Sequence, residues 1–276
     1  MAQTSHSNDS NKENRKNESA NEIWRKSLLG GEPMLGRVHH LFGQIPSNPR
    51  CKICNAPFQG FGAPFMRLIG KRPSNKNPHF CAACETYASK HQGGAEIELT
   101  MLFVDVRGST SLAEKMNATE FSRLMNRFYE EAINVLVQAD AFIDKLVGDE
   151  VTALFFPGFA GRDHARRAVE AGQALLQVMG YGQPGGAWVP IGVGIHTGIA
   201  WVGSIAGAGG DSMDFTALGD NVNIAARLAS KAGAGEVLIS EATCDAANID
   251  TKELEKRELE LKGKSDLASV RVLRAK

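Results

Sequence analysis

The chain has 276 residues, 43% of them hydrophobic and 22% charged, enough apolar content for one ordinary domain and a small second one. Its 31 basic and 31 acidic side chains cancel, so the overall balance gives no argument for nucleic acid or an anionic membrane as partner, and phosphate chemistry must come from placed residues. No N-terminal stretch joins a basic region, an apolar run and a small-residue cleavage site, so no secretory signal is read and a cytoplasmic location is expected.

Residues 1–20 are mostly Asn, Ser, Lys and Glu with almost nothing to bury, and are expected to be a disordered tail. Over 21–50 apolar residues return (Trp24, Leu28, Met34, Leu41, Phe42), which predicts one or two short helices broken at Gly30, Gly31 and Pro33. Residues 51–94 form a cysteine module rich in Gly, Pro and Asn, and His91-Gln92-Gly93-Gly94 reads as a linker into a main domain over 95–276.

In that domain a strand is expected over 98–106, then a helix capped by Asn117 and Glu120, with Phe121, Leu124, Met125, Phe128, Ala132 and Leu136 at helical spacing. Strands over 142–147 and 151–156 leave only Gly148-Asp149-Glu150 to turn between them. Asp163 is expected to cap a second helix. The apolar stretch 187–207 is long enough to suggest a membrane span, but Pro190, His196 and its glycines favour two strands of a buried hairpin around His196-Thr197-Gly198. A helix over about 220–231, a strand over 236–239, a short helix from Glu241 and two strands complete an α+β pattern, read as helices on one face of a largely antiparallel sheet.

Phe103-Val104-Asp105-Val106-Arg107-Gly108-Ser109-Thr110 sets a carboxylate at a strand end before a helix start, which suits a metal-bound triphosphate but also an ordinary capped turn. Gly148-Asp149 alone is a common turn. The stretch 218–228 adds Asn223 and Arg227, four apart on one helix face. Together with Asp144-Lys145-Leu146-Val147-Gly148-Asp149, Val193-Gly194-Ile195-His196-Thr197-Gly198 and Leu261-Lys262-Gly263-Lys264, these motifs follow the order and spacing of a family. Residues 95–275 resemble a class III adenylate/guanylate cyclase catalytic domain.

That resemblance implies a ferredoxin-like, palm-type antiparallel sheet with helices, preceded by a small zinc-ribbon-like module. It implies two Mg2+ or Mn2+ ions per site, held by Asp105 and Asp149 with Val106 counted beside them, and ATP as the nucleotide cyclised. Asn223 and Arg227 match the pair that positions the ribose and stabilises charge on the α-phosphate, and Lys262 matches a triphosphate-binding lysine. Lys145 matches the adenine-reading lysine, because adenine N1 accepts a hydrogen bond while guanine N1–H donates one. Thr216 stands where many members carry Asp, as in a subgroup known for responding to bicarbonate. In the family the carboxylates and the remaining residues come from different chains, so a homodimer with shared sites is implied. The alternatives are a guanylate cyclase and a catalytically idle, cyclase-like nucleotide sensor or scaffold. Neither nucleic acid nor a membrane span is expected.

Five cysteines fall as Cys51-x-x-Cys54, Cys81-x-x-Cys84 and a leftover Cys244. The two pairs supply the four thiolates of a closed structural Zn2+ site, although the gap between them exceeds the usual ribbon spacing and a redox dithiol or a pair of turns remain as readings. His39, His40, His79 and His91 are possible substitute ligands.

Overall fold

The computed structural model describes residues 20–75, 79–206, 213–260 and 267–275. The expected tail and the Lys262 motif therefore fall outside the described residues, except for Ala20, which is helical. The chain divides into two compact units, Met1–Ile97 with Trp201–Leu218, and Glu98–Ala200 with Gly219–Lys276.

The elements run α1 (residues 20–28), α2 (Pro33–Gly43), α3 (Ala63–Leu68), α4 (Ala82–Lys90) and β1 (Gly94–Val106). There follow α5 (Ser109–Lys115), α6 (Ala118–Gln138), β2 (Phe142–Val147), β3 (Glu150–Phe155), α7 (Pro157–Ala160) and α8 (His164–Val178). The chain then continues through β4 (Ile191–Ala206), β5 (Met213–Leu218), α9 (Asp220–Lys231), β6 (Glu236–Ser240), α10 (Glu241–Ala247), β7 (Glu255–Leu259) and β8 (Ala268–Arg274). The strands order as β2-β3-β1-β4-β6-β8-β7, with β5 on β4. β4 and β6 are parallel, while the β1–β3, β2–β3, β4–β5, β6–β8 and β7–β8 pairs are antiparallel.

In the larger unit, Leu102, Val104 and Val106 of β1 share a core with Val193 and Ile195 of β4, Val237 and Ile239 of β6, and the buried faces of α6 and α8. The α6 capping box forms as its sequence predicts: Asn117 accepts from the Glu120 amide and the Glu120 carboxylate accepts from the Asn117 amide. Asp163 occupies the N-cap of α8 but makes no cap bond, because its ψ of 21° is not the extended geometry that aims a carboxylate at the first-turn amides.

Two expectations are corrected. Helices cover both faces of the sheet, because side chains alternate along a strand: Val237 and Ile239 face the α6–α8 core, whereas Leu238 joins Leu228 of α9 and Ala232 just after it, with Val270 and Val272. The stretch 187–207 is not a hairpin either, because residues 191–206 are one strand and the partner of its second half is β5. Its glycines have ordinary negative φ and make no turn. Gly194 instead permits close approach, since a Cβ there would lie 2.1 Å from the Ala229 backbone nitrogen of α9.

In the smaller unit Trp24 is buried between Tyr87 and Phe215, with ring centroids 5.5 and 4.9 Å away, and its indole N–H donates to the His91 carbonyl. β1 begins at Gly94, before the expected residue 98, as the neighbouring Ser204 amide donates to the Gly93 carbonyl at 2.9 Å.

Candidate active site

Asp105 is the penultimate residue of β1, and Asp149 stands at the tip of the β2–β3 hairpin. Glu150 is the register partner of Asp105, and the Val106 amide donates to the Asp149 carbonyl at 3.1 Å, so adjoining strand ends carry the two carboxylates. Gly148 makes the tight turn with φ of 62°, and Tyr129 of α6 anchors the tip by donating its hydroxyl to the Gly148 carbonyl. Asp105 and Asp149 remain partly exposed.

Arg107 pairs with Asp105 and donates from Nη1 to the Ser230 carbonyl at 3.0 Å. Burial pulls the Arg107 pKa down, against the opposing charges of Asp149 and Glu150. Burial, then the Asp149 charge, pushes the Glu150 carboxyl up. Three partly exposed carboxylates thus converge on one sheet end, all offering hard oxygen donors. That donor chemistry fits Mg2+ or Mn2+. Arg107, Tyr129 and Glu150 were not singled out from sequence. Arg107 and Glu150 adjoin the motif carboxylates, which was the available signal, whereas nothing local marks Tyr129.

Asn223 and Arg227 lie on α9, which buries Ala225, Leu228 and Ala229. Asn223 is exposed; Arg227 is half-buried, and its Nη1 is fully buried without a hydrogen-bond partner. Two residues before Asn223, the Asn221 side chain bonds His196 Nε2 at 2.9 Å and donates to the Ile199 carbonyl at 2.8 Å. His196 Nδ1 bonds Ser240 Oγ at 2.8 Å, and buried hydroxyls of Thr243, Thr197 and Thr100 continue the chain to His164. The His196-Thr197-Gly198 motif therefore fixes the start of the helix that carries Asn223 and Arg227.

Lys145 is exposed on β2, in register with Thr152. Thr216 belongs to the smaller unit, buried on β5 opposite Gly203. No hydrogen bond or ion pair among the described residues joins Lys145, Asn223 or Arg227 to Asp105 or Asp149.

Cys51, Cys54, Cys81 and Cys84 are buried, unbridged and gathered with their sulfurs within 4.8 Å of one another. The Cys54–Cys81 separation is 3.8 Å, which matches the edge of about 3.8 Å expected for a tetrahedron with Zn–S bonds of about 2.3 Å. The Cys81 amide donates to Cys51 Sγ at 3.2 Å and Lys71 Nζ to Cys54 Sγ at 3.8 Å. Hydrogen bonds from Cys51 and Cys54 hold the Cys81 thiol far below the usual range, while burial pushes Cys51 up. The donor set fits zinc. Among the described residues no histidine joins it, and His39 instead bonds the Ile53 carbonyl through Nδ1 at 2.8 Å. Cys244 is separate and buried, its thiol pushed up to about 11 by burial.

A mixed sheet clad by helices, with paired carboxylates at a strand end and a hairpin tip, defines a palm-type nucleotide-handling domain. The profile of the Adenylate and Guanylate cyclase catalytic domain matches residues 94–273, and the chain belongs to that family. An adenylate cyclase of Anabaena cylindrica is 30% identical over 190 residues, covering 64% of this chain and 37% of its own length. A terminal-differentiation-specific adenylate cyclase of Dictyostelium discoideum is 30% identical over 180 residues, covering 62% of this chain and 8% of its own. This chain thus spans well under half of those relatives. Among solved structures, the adenylyl cyclase CyaB from P. aeruginosa is 30% identical with TM-score 0.56, covering 66% of this chain and 97% of its own. The guanylyl cyclase Cya2 is 28% identical with TM-score 0.58, covering 66% and 93%.

Proposed function

We propose that the chain is an adenylate cyclase that converts ATP to 3′,5′-cyclic AMP and pyrophosphate at sites shared between two copies. The observation that carries this reading is the buried, unpartnered Nη1 of Arg227 on the helix that also presents Asn223. A guanidinium donor held out of water without an acceptor is costly, and a phosphate oxygen would satisfy it. Asp105, Val106 and Asp149 would hold two Mg2+ or Mn2+ ions, which when bound lower the pKa of the ribose 3′-hydroxyl and offset phosphate charge.

Asn223 orients the ribose, and Arg227 donates to the α-phosphate as negative charge develops there. The 3′-oxygen attacks the α-phosphorus, the bond to the bridging oxygen breaks, and pyrophosphate departs, met by Lys262. Lys145 donates to adenine N1, and the Thr216 hydroxyl accepts from the exocyclic amine. Cys51, Cys54, Cys81 and Cys84 hold a structural Zn2+ in a module over 51–94, ahead of a cyclase domain over 95–276.

Incubation with ATP or GTP and Mn2+, followed by identification of the product, tests activity and base choice together; cyclic GMP as the main product would replace this reading with a guanylate cyclase. Mixing Asp105→Ala and Asn223→Ala chains should restore activity that neither has alone. Failure of that mixture to recover would remove the shared site.

A further inference from the structure

The cysteine module carries an apolar ridge that its four-thiol cluster does not explain. Phe61, Phe65, Leu68 and Ile69 are 106%, 60%, 83% and 46% exposed. Single exposed apolar residues are ordinary, but four large ones within nine positions are not. The ridge is built rather than frayed: Ala63 and Met66 are buried beneath it. The Met66 amide donates to the Gly62 carbonyl at 3.0 Å and the Lys71 amide to the Met66 carbonyl at 2.8 Å.

Its charge environment is equally uneven. Between Glu32 and Glu85 the sequence holds no acidic residue, while Arg37, Arg50, Lys52, Arg67, Lys71, Arg72 and Lys76 fall inside that stretch of an otherwise balanced chain. Arg50 is committed to backbone carbonyls, Lys52 to Asp214 at 3.1 Å, and Lys71 to Cys54. Arg67, within the ridge, and Arg72, just after it, are exposed, and their side chains make no hydrogen bond or ion pair among the described residues.

We infer that this ridge docks the protein on an anionic lipid surface, with Phe61, Phe65 and Leu68 entering the headgroup–acyl boundary and Arg67 and Arg72 meeting lipid phosphates. A bilayer offers both halves of the complement, an apolar layer beneath a negative one. A second copy of the chain fits worse, because a two-fold contact through the ridge sets Arg67 and Arg72 against their own equivalents. A nucleic acid supplies the charge, but Leu68 and Ile69 have no π-face on which a base could stack. The inference is independent of the catalytic reading.

The full chain should co-sediment with vesicles of phosphatidylcholine and phosphatidylglycerol in equal parts, less so at high salt, and not with phosphatidylcholine alone. Arg67→Gln and Arg72→Gln should each weaken binding roughly fivefold. Phe65→Ser/Leu68→Ser should abolish it while zinc content and nucleotide cyclisation stay at wild-type levels, which controls for folding. In a Phe61→Trp chain, lipids with brominated acyl chains should quench the added emission. Absence of binding to the anionic vesicles overturns the inference. So does dissociation of an oligomer by Phe65→Ser/Leu68→Ser, which would assign the ridge to a second copy, or RNA binding lost in that variant without any vesicle binding.

Discussion

Arg227 combines two costs that a purely structural side chain would avoid: its stem is half-buried on α9, and one guanidinium nitrogen has no acceptor. Leaving such a donor unsatisfied costs about 1–3 kcal/mol, so Arg227→Met should keep or raise the melting temperature while kcat falls by roughly 10²–10³. A fall in both would make the residue structural. Lys145→Glu exchanges a donor for an acceptor at the proposed base-reading position, and the ratio of kcat/KM for ATP over GTP should drop in steady-state assays with both nucleotides. Residue type and spacing single out Asp105, Asp149, Asn223 and Arg227, and the structure sets the first two on adjoining strand ends and the other two on α9. Arg107 lies inside its motif, but its pairing with Asp105 was not legible, since only the fold brings the guanidinium back onto that carboxylate.

At the scale of elements, β4 shows where sequence reading failed and why. Glycines usually punctuate turns, and the group in 192–203 suggested one. The physical need at Gly194 is room, set by a helix more than thirty positions further on. Gly194→Ala should force α9 away from the sheet, destabilising the chain by about 1–3 kcal/mol in urea denaturation and lowering activity through Asn223 and Arg227. Capping and periodicity did carry α6, because its box and apolar stripe are local.

A second element-scale expectation concerns β6 to β8. Glu236 accepts both arms of the Arg257 fork at 2.9 Å and a third bond from Arg274 at 2.7 Å. The Arg257 hydrogen bonds hold its carboxyl down at about 2, below the ordinary glutamate value of about 4.3. A depressed folded-state pKa contributes stability that is complete above the unfolded value and is lost as pH falls from about 4.3 towards 2. Across that window, wild-type unfolding free energy should decline more steeply than that of Glu236→Gln.

For the whole molecule, the gathering of the four cysteines was legible from their paired spacing, while the apolar ridge beside them was not, because exposure is decided by tertiary packing. On the proposed zinc reading, a small, Gly-rich region would gain its stability from the ion. Elemental analysis should find one zinc per chain, and a strong chelator should lower the melting temperature and release Trp24 from its buried contacts, seen as a red shift in emission. Zinc-free protein that keeps its melting temperature would remove the structural role. No helix among the described residues is long and apolar enough to cross a membrane.

The smaller unit is assembled from two distant stretches, with Trp201–Leu218 completing what Met1–Ile97 begins. Synthesis at roughly 5–20 residues per second separates their appearance by about 5–20 s. During that interval the four thiols have left the ribosome while Phe215, which closes over Trp24, has yet to be made. On the proposed zinc reading, metal capture can therefore precede the last packing event of its own unit, and zinc supply during translation, rather than afterwards, would set the yield of correctly folded chains.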